Sequence, residues 1–93
     1  MMTGEAMSLL SNLQRYAGWL PKDHASIAVR AGVSELAAAM QAGTEAADCL
    51  MVLDKDIKRL HGGGIRTMLR RACGELQDVL AKNGTNGDGE TGS

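Results

Sequence analysis

The sequence predicts an all-α protein: a short N-terminal helix, then a long antiparallel helical hairpin, with a helical bundle completed by dimerisation. Three observations carry that reading. Hydrophobic residues make up 44% of the chain and are mostly Ala, Leu and Met, which are strong helix formers, whereas aromatic residues make up only 2% and β-branched ones are few. Apolar residues recur at three- and four-residue steps through most of the chain. The interruptions fall at Pro21, at Gly62, Gly63 and Gly64, and at Asn83–Gly84, residue types that end helices.

The first helix is expected over 5–20, where Ala6, Leu9, Leu10, Leu13, Tyr16, Ala17 and Leu20 share one stripe. Pro21 ends it, because the residue before a proline is biased out of the α region. Residues 21–33 read either as a short helix or as an extended connector broken at Gly32. Ser34 is the expected N-cap of the next helix, with Glu35 complementing its dipole. From there Leu36, Ala39, Gly43, Ala46, Leu50, Leu53, Ile57 and Leu60 form a heptad-type stripe, which predicts one helix over 34–61. Gly43 costs about 1 kcal/mol inside a helix, so a break there, with Thr44 capping a new start, is the alternative. Ile65, Leu69, Ala72, Leu76 and Val79 predict a helix over 65–82. Folding these two helices together at the glycines sets Ile57 opposite Leu69, Leu53 opposite Cys73 and Leu50 opposite Leu76. One helical domain is expected over 1–83, followed by a disordered tail over 84–93, which has no apolar residue.

Lengths then matter. A 34–61 helix would span roughly 42 Å and its partner about 27 Å. The Ala-rich start of the long helix, from Ala38 to Ala47, is left without a mate; the helix over 5–20 could cover it, but so thin a core points to a second copy of the chain or to docking on another protein.

The composition narrows function. A net charge of −1 excludes a protein that coats nucleic acid by bulk charge. Two cysteines without a framework pattern point to free thiols and a reducing compartment. The N-terminal stretch lacks a basic region and a long apolar run, and no window approaches a membrane span, so a cytoplasmic location is expected. His24, Cys49, His61 and Cys73 stand apart, without metal-ligand spacing, and no cofactor motif is present. The run HGGG resembles the oxyanion loop of lipases, but the G-x-S-x-G elbow that such chemistry requires is missing. A non-enzyme is expected.

Two surfaces remain as candidates. Six of the ten basic residues lie between positions 55 and 71, around the glycine run. Glycines opening a helix favour anions, so Lys58, Arg59, Gly63, Gly64, Arg66, Arg70 and Arg71 form a candidate site for nucleic acid or a phosphorylated nucleotide. No Walker lysine follows the glycines, and a plain helix–helix turn whose charged neighbours solvate the hairpin end is the favoured account of them. Tyr16 and Trp19 can share one face, which either anchors the first helix onto the hairpin, the favoured account, or, with Lys22 beyond them, forms a candidate protein-binding surface, since Tyr and Trp dominate interaction hot spots. Ala28, Gly32 and Val33 in 25–42 resemble the spacing of a helix-turn-helix, which would imply DNA binding, although Glu35 and alanines stand where base-reading residues should project. The run VRAGVS before an Ala-rich helix is similar to small helical proteins of pseudomonads, a resemblance that implies no chemistry. The leading expectation is a small adaptor or inhibitor that acts by binding a protein, of the kind that phages and mobile elements use as anti-CRISPR or host-takeover regulators.

Overall fold

The computed structural model describes residues 4–43 and 46–86, with side chains to residue 82. Among the described residues there are four helices and no strand: α1 (Gly4–Gly18), α2 (His24–Ala42), α3 (Ala47–Lys58) and α4 (Gly64–Asn86). The all-α class is as the sequence predicts, but the long middle helix is not. Its place is taken by the end of α2, a break, and α3.

The break is made by Gly43. It sits at φ 75°, a left-handed conformation that glycine adopts without a Cβ penalty, and its N–H reaches the carbonyls of Ala39 and Met40. The heptad stripe runs across this break because Gly43 to Ala46 is itself a three-residue step. Thr44, the alternative cap, lies outside the described residues. Ala46 occupies the cap position of α3 and makes no side-chain cap hydrogen bond.

Residues 24–33, left open between helix and connector, are helical. Asp23, not Ser34, caps α2: its backbone is extended at φ −132° and ψ 173°, and its carboxylate accepts from the Ser26 N–H. Ser34 is an exposed residue inside the helix. Gly32 does not break α2 because it serves a contact. A Cβ there would come within 3.1 Å of Leu53 Cδ1 in α3. At the far end α4 continues past the expected stop at Asn83 and Gly84 to Asn86, and residues 87–93 of the expected tail lie outside the described residues.

A 40-residue internal repeat organises the molecule. Moving forward 40 positions carries Ala6, Leu10, Leu13, Leu20 and Leu36 onto Ala46, Leu50, Leu53, Leu60 and Leu76, all buried. The same shift carries Val29 and Val33 onto Leu69 and Cys73. It also carries the hydrogen bonds of the first turn onto those of the second: Trp19 N–H to Tyr16 O becomes Arg59 N–H to Asp56 O, and Ile27 N–H to Asp23 O becomes Thr67 N–H to Gly63 O. Each half is thus a helix, a five-residue turn and a second helix.

The halves close on each other. α1 packs on α2 and α4, and α3 packs on α4 and α2, while among the described residues α1 does not touch α3 and α2 does not touch α4. Exchanging the halves leaves this scheme unchanged. A repeat that simply stacked would leave α4 far from α1, so the arrangement is a closed ring with approximate two-fold symmetry. Leu13, Leu36, Leu50, Leu53, Leu69 and Leu76 are its fully buried leucines. Each contributes up to about 3 kcal/mol relative to exposure. The start of the expected long helix is packed inside the chain through Leu36, Ala37 and Met40. Of the small residues beside them, Ala38, Ala42, Gly43 and Ala47 are exposed and Ala46 is buried.

Candidate functional site

The two inter-helix turns, Trp19–Asp23 and Arg59–Gly63, face one another across a cleft of about 210 Å³. Its lining obeys the repeat: Leu20 with Leu60, Pro21 with His61, Asp23 with Gly63, and Ser26 with Arg66, joined by Gly62, Gly64 and Ile65. The site is bipartite, because α1 must pack on α4 and α2 on α3 before the turns meet.

The first turn is tied down. Pro21 limits the backbone. The Arg30 guanidinium donates to Leu20 O and, at 3.1 Å, to Pro21 O. Asp23 Oδ1 accepts from Ser26 N at 2.8 Å. That backbone N–H, with the nearby Ser26 hydroxyl, holds the Asp23 carboxyl below its ordinary value, and the positive character of His61 and Arg30 adds to the effect. Ser26 is wholly buried, with its hydroxyl against the Asp23 carboxylate.

The second turn is looser. Gly63 O accepts from the Thr67 N–H and from Thr67 Oγ1, each at 3.3 Å. Arg66 reaches back to Lys58 O at 3.4 Å, and its Nε is shielded from solvent with no partner.

The candidate anion residues therefore separate. Gly63, Gly64 and Arg66 line the cleft, whereas Lys58, Arg59, Arg70 and Arg71 do not. Lys58 is paired with Asp54 at 3.2 Å on the surface of α3, a contact of small energetic weight. Arg59, Arg70 and Arg71 are exposed. Sequence reasoning missed Asp23, Ser26 and His61. The signal that finds them is the repeat, which places the proline turn opposite the glycine turn.

The aromatic pair divides in a different way. Tyr16 rests partly buried against the core, while Trp19 is 55% exposed. Their rings lie 5.7 Å apart at 47°, and the Arg15 guanidinium sits 5.7 Å from the Tyr16 ring centre. Lys22 is exposed in the adjoining turn. Residues 25–42 lie in one unbroken helix, so the helix-turn-helix spacing and the extended VRAGVS run have no counterpart in the fold.

Both cysteines are free thiols: Cys49 is half-buried, and Cys73 is buried with its Sγ 3.9 Å from Leu50 O. Burial, with Asp54 nearby, pushes the Cys73 thiol from 9.0 up to about 11, so it is inert at neutral pH. No group of three or more His, Cys, Asp or Glu residues is placed to hold a metal ion, and no helix is long and apolar enough to cross a membrane, among the described residues. Comparison with protein-family models, curated proteins and solved structures finds no match.

Proposed function

We propose that this protein is a small non-enzymatic binding module, an adaptor or inhibitor that docks on a partner protein through the end of α1 and the first turn. One observation carries the reading: the single tryptophan is left 55% exposed and braced by Tyr16, in a chain that has only these two aromatic residues. A half-exposed Trp packed against a tyrosine ring is the kind of anchor that dominates protein interfaces. Lys22 beside it and Ile27, 56% exposed on the first turns of α2, extend the same end of the molecule with mixed polar and apolar chemistry.

The test is affinity capture with the wild-type chain and with Trp19→Ala, in the presence of nuclease. The reading expects one protein at near-equimolar ratio, lost from Trp19→Ala and retained by Arg70→Glu and Arg71→Glu. Capture that ignores Trp19 but collapses with either arginine change would replace it with the anion-binding alternative.

A further inference from the structure

The outer surface of α3 departs from that of its repeat mate α1. Leu50, Leu53 and Ile57 turn one side of α3 into the core. On the opposite side, within about 100° of the helix circumference, lie Asp48, Met51, Val52 and Lys55. Met51 is 57% exposed and Val52 54%. The matching positions of α1 carry Ser8, Ser11, Asn12 and Arg15. Polar residues therefore serve this outer side in the first half, and the packing does not ask for Met51 and Val52 in the second. Two apolar side chains together on the solvent side of an amphipathic helix point to an occupant.

The charges select which occupant. Asp48 and Lys55 bracket the apolar pair, both exposed and neither in an ion pair with another described residue. The four residues are self-complementary. A two-fold axis passing between Met51 and Val52 sets each Met51 against the partner's Val52 and each Asp48 against the partner's Lys55, with the helices antiparallel. A parallel pairing would set Asp48 against Asp48 and Lys55 against Lys55, which like charges oppose. The charge of the whole molecule favours the same orientation. Among the described residues, every Lys and Arg except Lys82 lies in a turn or in the half of its helix next to the turns, against three acids there, Asp23, Asp54 and Asp56. Glu5, Glu35, Asp48 and Asp78 lie in the opposite halves. Antiparallel copies place the basic end of each chain beside the acidic end of the other.

We propose that a second copy of the chain docks antiparallel on the outer face of α3, with Met51 and Val52 of both copies at the centre and an Asp48–Lys55 pair on either side. The contact is isologous and closes at two chains. A single helix pair belongs at the small, reversible end of protein interfaces, with Kd on the order of 100 μM. The surface is separate from Trp19, which follows α1, a helix that does not touch α3.

The experiment is sedimentation velocity of the full chain from about 10 μM to about 1 mM, a range that brackets such a Kd. The wild type should pass from monomer to dimer and stop there. Met51→Ser with Val52→Asn, which gives α3 the residues of α1, should stay monomeric with unchanged helical circular dichroism. Asp48→Lys and Lys55→Asp should each self-associate at least tenfold more weakly at low salt. Mixed together, those two variants should form a dimer, because each then meets opposite charge on the other. Trp19→Ala should dimerise like the wild type. A wild type that is monomeric throughout, or that grows beyond two chains, overturns the proposal without recourse to any variant. Dimers that survive Met51→Ser with Val52→Asn, a charge-swapped mixture that stays monomeric, or a dimer lost with Trp19→Ala would each overturn it too, the last by placing the contact on the other surface.

Discussion

The two turns of the repeat share their length, a buried leucine and their backbone hydrogen bonds, and almost no chemistry. The first is self-contained: Pro21 stiffens it, Arg30 ties down two of its carbonyls, and Asp23 caps the helix that follows. The second keeps the buried leucine, Leu60 for Leu20, and replaces the rest with Arg59, His61, Gly62 and Gly63. Arg70, which matches Arg30, is exposed, and the neighbouring Arg66 reaches back instead, at 3.4 Å. The fold therefore requires little of these turns beyond one leucine anchor and the shared backbone hydrogen bonds. What it does not require has been used for closure in one turn and for openness in the other.

The largest test of this equivalence is in the core. Leu13 and Leu53 are repeat mates and both are 0% exposed. Leu13→Ala and Leu53→Ala should each cost about 3 kcal/mol in urea unfolding. A gap between them much above about 1.5 kcal/mol would mean that the halves are not energetically alike. Next comes the pair Gly32 and Ala72, where one half has a glycine and the other a methyl group. Ala72→Gly should cost about 1 kcal/mol, the ordinary glycine penalty in a helix interior. Gly32→Ala should give no comparable gain, because its Cβ would press on Leu53 Cδ1 at 3.1 Å. A clear stabilisation there would show that α2 and α3 have slack which the contact conceals.

The smallest effect is at the caps. Asp23→Ala should lower the melting midpoint more than Asp23→Gly, because glycine suits the cap position and is what the second half already carries. The folded state prefers the Asp23 carboxylate, so its contribution is present above the ordinary value of 3.8 and disappears as pH falls through the lower folded value. The midpoint difference between wild type and Asp23→Ala should accordingly shrink in acid. A difference that persists below that range would make the cap a matter of shape and not of charge.

Much of the helical content was legible because periodicity is local. The stripes of α1 and α4 and the glycine turn stand in the sequence as they do in the fold. The long middle helix misled for a definite reason: a left-handed glycine followed three positions later by Ala46 keeps the heptad phase while ending the helix. Asp23 was eclipsed by Ser34 as a cap because Gly32 looked like a breaker, when its lack of a side chain serves the approach of Leu53. The cleft was not readable residue by residue. Asp23 and Ser26 meet His61 and Arg66 only through tertiary packing, and a scan for local motifs registers the glycine run without its opposite wall. The 40-residue recurrence was visible throughout in Ala6 and Ala46, Leu13 and Leu53, and Leu36 and Leu76.

One consequence of the closed ring concerns chain connectivity. The exchange that carries α1 and α2 onto α3 and α4 also carries the Gly43–Ala46 junction onto the gap between the end of α4 and the start of α1. Joined through its ends and cut instead between Gly43 and Ala46, the chain becomes a circular permutant that runs α3, α4, α1, α2. It keeps every helix contact, both turns and the cleft between them, since the ring has no preferred place at which to open.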